Sequence, residues 1–216
     1  MEVINFSESN TILNSFIQEI RSKDVQVDRM RFRRNLERVG EVISYEISKR
    51  FTYQEQHIKT PLGIATQNII SEQPVLATIL RAGLPFHIGF LNYFDHADNA
   101  FISAYRKHTS QEDFEIEIEY LSSPKIDDRI LILNDPMLAT GSSMVLGYKA
   151  MLSKGTPKHI HIACVIASRE GIEYTKRNMP PNTTLWAGAV DDELTAQSYI
   201  VPGLGDAGDL AFGKKE

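Results

Sequence analysis

The sequence predicts an α/β fold in which a mostly parallel central sheet is flanked by helices. Three observations lead to this prediction: short β-rich apolar runs recur along the chain, helical segments separate them, and polar residues directly follow several of the runs. Strands that alternate with helices form parallel sheets covered on both faces. Ligands of such sheets bind beyond the carboxyl ends of the strands, so the polar residues found there are candidate site residues.

The N-terminal region, residues 1–51, is predicted to be helical. Apolar residues recur at helical spacing in 11–22 and 28–51, with Arg and Glu between them. This spacing is typical of amphipathic helices. A cluster of arginines on the second helix is interpreted as a solvated face or a contact with another subunit: Arg31, Arg33, Arg34 and Arg38.

The strands of the sheet are predicted at 74–80, 99–105, 129–133, 159–167 and 183–189. Residues 114–120 differ because apolar and acidic residues alternate strictly, which describes a strand with one wet face. A hairpin arm or an edge strand is expected there. No repeat, low-complexity tract or Pro/Gly-rich linker divides the chain, so residues 1–216 are expected to form one domain.

Composition argues against several classes of protein. The chain has 216 residues, of which 42% are hydrophobic and 24% charged, as in a globular domain with a sizeable core. Its net charge of −5 argues against nucleic-acid or anionic-membrane partners. No stretch approaches the roughly 20 apolar residues of a membrane helix. The lone Cys164 cannot form an internal disulfide and is assigned no chemistry, so a cytoplasmic protein is expected.

The first candidate site follows the strand predicted at 129–133. Asn134, Asp135 and Pro136 lead to a Thr-Gly-Ser-Ser stretch at 140–143, and a helix is predicted at 144–154. Hydroxyl and backbone N–H groups at a helix N-terminus favour an anion such as a phosphate monoester. Asp135 is placed to accept hydrogen bonds from ribose hydroxyls. The alternative is an ordinary loop in which Thr140 or Ser142 caps the helix.

The second candidate is the glycine-rich segment 199–209. Gly203, Gly205 and Gly208 satisfy the Gly-x-Gly-x-x-Gly dinucleotide pattern, but only eight residues follow Gly208, too few to complete that unit. Glycines instead let a backbone approach a flat ligand closely, and backbone N–H and C=O groups can match the edge of a nucleobase. The alternative is a glycine-rich surface turn.

Two arginines follow neighbouring strands of the predicted sheet. Arg81 follows the strand at 74–80, and Arg106 follows the strand at 99–105. A guanidinium at a strand end presents a permanent, forked positive charge to a diphosphate. The alternative for either residue alone is a solvated surface charge. Two of them at successive strand ends, in a chain with two further ligand-like loops, favour anion binding.

These loops resemble those of a known family. Asn-Asp-Pro-Met-Leu-Ala-Thr-Gly-Ser-Ser at 134–143 resembles the phosphoribosyl pyrophosphate (PRPP) signature of type I phosphoribosyltransferases, and its central part is similar to uracil phosphoribosyltransferases. Tyr-Ile-Val-Pro-Gly-Leu-Gly-Asp-Ala-Gly-Asp at 199–209 is close to their uracil-binding signature. Leu-Arg-Ala-Gly-Leu at 80–84 and Tyr-Arg at 105–106 also match. The resemblance implies the type I phosphoribosyltransferase fold, with a β-arm and a C-terminal hood, residues 190–213, over the base.

The resemblance also implies a reaction and a set of site residues. The reaction is transfer of the 5-phosphoribosyl group from PRPP to uracil, giving UMP and diphosphate, with Mg²⁺ as cofactor. The implied PRPP site consists of Arg81, Arg106, Asp135, Pro136, Met137, Leu138, Ala139, Thr140, Gly141, Ser142, Ser143 and Asp206. The implied uracil site consists of Ile200, Gly205, Asp206 and Ala207. Asp206, Arg106 and Asp135 are expected to act in catalysis, and no protein ligand is assigned to the metal.

The sequence departs from the family pattern at three places. Asn134 stands where many members of the wider superfamily have a second acidic residue, Leu210 stands where the family usually has arginine, and 107–113 lacks the usual acidic stretch. Two alternatives stay open: a phosphoribosyltransferase for another nucleobase, and a regulatory RNA-binding protein of the same fold. The family also implies a homodimer or higher homo-oligomer and, in some members, a GTP effector.

One acidic segment lies outside these motifs. Asp191, Asp192 and Glu193 follow the strand at 183–189, where they could attract Mg²⁺. A solvated loop is the interpretation preferred here.

Overall fold

The computed structural model describes residues 1–108 and 114–215, with the side chains of 104–108 and 114–117 outside the description. The strands are β1 (Glu2–Asn5), β2 (Tyr53–Thr60), β3 (Gly63–Ile70), β4 (Val75–Leu80), β5 (Asp98–His108), β6 (Phe114–Ser122), β7 (Ile130–Asn134), β8 (Met137–Leu138), β9 (His159–Ser168), β10 (Thr183–Asp191), β11 (Glu193–Leu194) and β12 (Ile200–Val201). The helices are α1 (Leu13–Arg21), α2 (Arg29–Ser48), α3 (Gly83–Leu91), α4 (Ser142–Met151), α5 (Arg169–Asn178) and α6 (Ala207–Phe212).

The central sheet is mostly parallel, as the sequence predicts. Its strands follow the order β1-β10-β9-β7-β4-β5-β6, with the short β8 added beside β9. Every pairing along this path is parallel except that of β6 with β5, which is antiparallel. Residues 114–120 therefore lie in an edge strand, which confirms one of the two structures expected there. The five predicted strands and both N-terminal helices are confirmed to within a few residues at their ends.

Helices cover both faces of the sheet because successive strand residues point to opposite sides. Ile132 of β7 packs in the cluster formed with α1, α2 and α3, whereas its neighbours Leu131 and Leu133 pack in the cluster formed with α4 and α5. Asp28 begins α2 by accepting hydrogen bonds from the backbone N–H groups of Met30 and Arg31. Each apolar cluster is thus closed by helices on its own side of the sheet.

The sequence reasoning missed β1, β2 and β3, as well as the two-residue strands β8, β11 and β12. β1 joins the far edge of the sheet through β10, a partner about 180 residues away in the chain. β2 and β3 form a separate antiparallel hairpin whose residues are almost all exposed. Since neither face of this hairpin is buried, its sequence lacks the apolar alternation by which strands are recognised.

The arginines of α2 bind to other parts of the same chain. Arg31 forms an ion pair with Glu19 of α1 through two hydrogen bonds of 2.7 Å, and Arg33 donates to the backbone oxygen of Ala211 in α6 at 2.7 Å. Arg34 pairs with Glu37 along α2. Arg31 and Arg33 thus connect α2 to α1 and to the C-terminal segment, and the interpretation of this cluster as a solvated or subunit-contact face stays a prediction. Across 1–108 and 114–215, we find no helix with the length and apolar character to span a membrane.

Candidate active site

The two loops that the sequence analysis singled out line the same cavity of about 190 Å³. From the loop after β7 it takes Asp135, Met137, Leu138, Ala139, Thr140, Gly141 and Ser143. From the C-terminal segment it takes Ile200, Gly205, Asp206 and Ala207. All four residues of the implied uracil site and most of the implied PRPP loop are therefore brought together, although some 60 residues separate the two segments.

Strand β9 holds the loop after β7 in place. The backbone N–H of Asp135 donates to the oxygen of Ala163 at 3.1 Å, and the oxygen of Pro136 accepts from both Val165 and Ile166 at 3.0 Å. β8 continues this pairing alongside Ile166 and Ala167. The loop is thus fixed to the sheet, with Pro136 buried and turned away from the cavity that its neighbours line.

Gly141 begins α4 in a left-handed conformation, with φ of +80°. A Cβ atom there would lie 2.7 Å from the Thr175 hydroxyl oxygen, so only glycine allows α5 to pack this closely. The Gly141 position itself offers no capping side chain, and the Thr140 hydroxyl is 3.4 Å from the Ser142 N–H. The N-terminus of α4 therefore lies beside the cavity with one long capping contact, and anion binding there stays a prediction.

Asp135 is the titrating group with the most strongly perturbed environment in the cavity. Burial raises the pKa of its carboxyl from 3.8 to about 7, and a hydrogen bond from the Met137 N–H offsets part of this rise. Cys164 lies fully buried in β9, where burial, together with the charge of Asp135, raises the pKa of its thiol. A carboxylate that is partly dehydrated is well suited to accept hydrogen bonds from neutral hydroxyl groups.

Asn134, the residue before it, points into the protein core and not into the cavity. Its Nδ2 donates to the Ala77 oxygen at 3.0 Å, and its Oδ1 accepts from the Thr78 hydroxyl at 2.8 Å. His87 of α3 lies 3.3 Å from the same Nδ2 and connects onward to Asn99 at 2.7 Å. Burial lowers the pKa of His87. Asn134 therefore joins a neutral polar network below α3. Because its side chain does not line the cavity, an amide in place of a carboxylate at this position does not change the charge of the cavity wall.

The C-terminal hood is held by a residue whose role the sequence analysis missed. Asp191 is buried at the end of β10, where it binds Arg21 of α1 through two hydrogen bonds of 2.8 Å. The same carboxylate accepts from the Gly203 N–H at 2.9 Å. The interpretation of this acidic segment as a solvated loop is wrong for Asp191, whereas Asp192 and Glu193 are exposed.

Asp206 lies where the glycine-rich segment 199–209, here called the base loop after the role predicted for it, enters α6. Its Oδ1 caps this short helix by accepting from the Asp209 N–H at 2.9 Å, and the residue is exposed toward the cavity. Ser198 and Tyr199, which precede the buried Ile200, also line the cavity. The sequence analysis did not select these two, although their position at the start of the glycine-rich segment could have suggested them.

Of the two arginines predicted to bind diphosphate, only Arg81 has a side chain that the structure describes. Arg81 follows β4, and its Nη2 donates to Asp209 at 3.1 Å while its Nη1 donates to the Gly213 oxygen at 3.3 Å. Arg106 lies in β5, beyond the residues whose side chains are described, and 109–113 of the altered segment 107–113 are outside the description altogether. A diphosphate contact by either arginine stays a prediction, as does the PRPP contact of Ser142.

Comparisons with known proteins agree on one family. The sequence model described as "Uracil phosphoribosyltransferase" matches residues 8–214. A uracil phosphoribosyltransferase of Porphyromonas gingivalis is 59% identical over 215 residues that cover 100% of both chains. Another, from Methanothermobacter thermautotrophicus, is 36% identical over 95% of this chain and 93% of its own.

Two solved structures extend the comparison to the fold. The AQ2163 protein from Aquifex aeolicus superposes with a TM-score of 0.87 at 27% identity, over 98% of each chain. A hypoxanthine phosphoribosyltransferase from Staphylococcus aureus gives a TM-score of 0.50 at 14% identity, over 74% of each chain, a likeness of fold alone.

Proposed function

Because the chain belongs to the uracil phosphoribosyltransferase family, we propose that the cavity between the loop after β7 and the C-terminal hood is where PRPP and uracil meet. The chain transfers the 5-phosphoribosyl group from PRPP to uracil, giving UMP and diphosphate in pyrimidine salvage. The observation that carries the proposal for the site is that one cavity joins the implied PRPP loop to all four implied uracil residues.

The loop after β7 holds the phosphoribosyl part of PRPP. Thr140, Gly141 and Ser143 line the cavity beside the N-terminus of α4, where N–H groups and the helix dipole favour the 5′-phosphate. Asp135 lies five residues before Thr140 on the same wall and accepts hydrogen bonds from the ribose hydroxyls. These contacts fix the sugar so that C1 faces the hood.

The hood holds uracil opposite that sugar. Ile200 provides an apolar surface, and the backbone of 205–207 supplies N–H and C=O groups for the edge of the base that carries N3. A cytosine ring would leave at least one backbone group facing an incompatible substituent, at a cost of roughly 1–3 kcal/mol. Asp206 assists removal of the proton from N1 as that atom forms its bond to the ribose.

The reaction is a substitution at ribose C1 in which diphosphate departs ahead of attack by N1, through an oxocarbenium-like state. The protein lowers the barrier by holding both partners in line and by stabilising the negative charge that develops on the leaving group. Arg81, directly after β4, and Arg106, within the adjacent β5, are the groups assigned to that charge.

Mg²⁺ enters this proposal as an ion that accompanies PRPP. Among the described residues no cluster of three or more His, Cys, Asp or Glu side chains could hold a metal. Two carboxylates, Asp135 and Asp206, line the cavity. Mg²⁺ commonly binds one or two carboxylates together with substrate phosphates and water, so this cavity fits an ion brought by the diphosphate. When bound there, the ion supplies further neutralisation of the leaving group.

The reaction can be tested by measuring diphosphate release from PRPP with Mg²⁺, comparing uracil, cytosine, hypoxanthine and no base. Release should require uracil, and Asp135→Ala should lower it about 100-fold or more because the ribose is no longer fixed. Asp95→Ala, at an exposed carboxylate after α3, is the matched control and should retain activity. Release with hypoxanthine would reassign the base, and none with any base would favour the RNA-binding alternative.

The same assay tests the role of Asp206. Asparagine caps helices as well as aspartate does, so Asp206→Asn removes the charge while keeping the start of α6. We expect kcat with uracil to fall by about 10²–10⁴-fold, the usual contribution of a general base. Turnover near that of the unchanged enzyme would exclude Asp206 from proton transfer.

We further propose that the chain assembles with copies of itself through the β2–β3 hairpin. Two-stranded hairpins are marginally stable alone in water, yet nearly all of this hairpin is exposed, including Ile58, Leu62 and Ile64. Leu62 at its turn is fully exposed. A second subunit would bury this apolar surface.

We also propose a cytoplasmic location, which is supported by the lone, buried thiol of Cys164.

A further inference from the structure

The Arg81 guanidinium connects two loops that serve different substrates in the proposed function. Arg81 follows β4, on the side assigned to diphosphate, whereas its ion-pair partner Asp209 lies in α6 of the uracil hood. The two groups are 3.1 Å apart. Gly208 packs against the same guanidinium, since a Cβ atom there would lie 3.3 Å from Nη2. The contact therefore ties the diphosphate loop to the hood.

Leu210, the residue after Asp209, is uncharged. It stands where the family resemblance places an arginine, and it packs against the apolar cluster of the N-terminal helices. The carboxylate of Asp209 pairs with the arginine of the opposite loop.

The ion pair between Arg81 and Asp209 is weak enough for Arg81 to leave Asp209 and bind another anion. About a third of each side chain is exposed, at 36% for Arg81 and 33% for Asp209, and ion pairs with this much water contact stabilise proteins weakly. The Arg81 Nε is buried and has no hydrogen-bond partner among the residues that the structure describes. A diphosphate offers several charged oxygens to a forked guanidinium, which makes it a stronger partner than one carboxylate.

Asp209 is also connected to the base side. Its backbone N–H donates to Asp206 Oδ1. A shift of Asp209 would therefore move the carboxylate of Asp206, the residue assigned to proton transfer. By contrast, the Arg21–Asp191 pair that holds the other end of the hood is more buried and is bound through two hydrogen bonds. The hood thus has attachments at Gly203 and at Ala211, where Arg33 donates to the backbone oxygen, and an exchangeable one at Asp209.

We propose that Asp209 is a positioning residue that holds Arg81 against the hood in the free protein and releases it to the diphosphate of PRPP. Binding of PRPP then breaks the ion pair between Arg81, after β4, and Asp209 in α6. This couples occupancy of the diphosphate site to the conformation of the hood segment that holds uracil. The inference rests on the proposed function, because it takes diphosphate as the ligand of Arg81.

The exchange is tested by titrating the full chain with Mg²⁺ and inorganic pyrophosphate in a calorimeter. Asp209→Asn removes the internal competitor, so we expect pyrophosphate to bind about 2- to 5-fold more tightly, as expected for the loss of a weak ion pair. Asp192→Asn is the matched control, since it breaks an exposed ion pair with Arg169 in which Arg81 takes no part, and it should bind like the unchanged chain. Unchanged or weaker binding by Asp209→Asn would overturn the proposal.

Steady-state kinetics separate positioning from a merely structural role. Asp209→Asn should lower KM for PRPP and raise KM for uracil, whereas general loosening of the hood would raise both. Asp209→Glu, which keeps the charge, should restore both values toward those of the unchanged enzyme. If the unchanged enzyme shows no uracil-dependent release of diphosphate, the proposed function itself fails. If it is active but the two KM values do not split, only this inference fails.

Hydrogen exchange on the unchanged chain needs no variant and so does not depend on how well one folds. Pyrophosphate with Mg²⁺ should speed exchange of the amides of α6, because the link to Arg81 is lost. Slower exchange in α6 would mean that Arg81 stays bound to Asp209, which contradicts the proposal.

Discussion

Asn134 and Asp135 are neighbours whose side chains occupy opposite environments. Asn134 ends a buried strand and bonds with Ala77 and Thr78 in the core, whereas Asp135 begins the loop and lines the cavity. The sequence could show that a second carboxylate was missing, but not which way residue 134 points. Because strand residues alternate between faces, the absence of that carboxylate leaves the cavity unchanged.

We predict that Asp135→Asn changes how stability depends on pH. Burial raises the pKa of Asp135 from 3.8 to about 7, so between these values the folded chain binds a proton that the unfolded chain releases. The free energy of unfolding therefore falls as pH rises through this window. Relative to the unchanged protein, Asp135→Asn should gain about 1–4 kcal/mol between pH 4 and pH 8, as measured by urea unfolding without ligands.

The matched variant for this measurement is Asp95→Asn, at an exposed carboxylate. Its stability should follow that of the unchanged protein at every pH. Parallel curves for Asp135→Asn and the unchanged protein would show that the carboxyl at 135 titrates alike in the folded and unfolded states.

At the scale of elements, the hood depends on α1, a helix from the opposite end of the chain. Arg21 donates to the Asp191 carboxylate and to the Gly203 oxygen, and the Gly203 N–H donates to the same carboxylate. The sequence predicted α1 from its apolar spacing and the base loop from its glycines. It could not predict their contact, because the local sequence around Arg21 and around Asp191 does not indicate which residue each side chain will pair with.

We predict that Asp191→Asn lowers both stability and affinity for uracil. The change leaves the Arg21 guanidinium without its counter-charge beside a buried site, so the free energy of unfolding should fall by about 1–3 kcal/mol. KM for uracil should rise more than KM for PRPP, because Gly203 belongs to the base loop. Glu193→Gln, an exposed neighbour, is the control. An unchanged KM for uracil would show that the loop keeps its shape without this attachment.

The elements that the sequence predicted correctly share one property, which is a buried face. β4, β7, β9 and β10 are largely apolar and almost wholly buried, and α1 and α2 show apolar residues at helical spacing. β2 and β3 bury no face within the chain, and β1 is four residues long. Patterns of hydrophobicity record burial within the subunit, so they say little about strands that are short or that project from it.

At the scale of the whole molecule, the projecting hairpin is the feature that a single chain leaves unexplained. We predict that the double change Leu62→Ser and Ile64→Thr weakens self-association, because both side chains are exposed apolar groups at its turn. Sedimentation should show the unchanged chain at a multiple of its 24.4 kDa mass and the variant shifted toward one copy. Gln56→Ser in the same hairpin is the control. A monomeric unchanged chain would contradict the assembly proposal.

The contacts between the two ends of the chain bear on how the protein is made. β1 pairs with β10, Arg21 holds Asp191 and Gly203, and Arg33 holds Ala211. Residues 2–33 therefore leave the ribosome well before the residues that they contact. We expect the cavity to be completed only after residues 191–211 have emerged, with α1 and α2 exposing apolar surface to chaperones until then. The nascent chain can fold the loop after β7 before it can complete the cavity that this loop shares with the C-terminal segment.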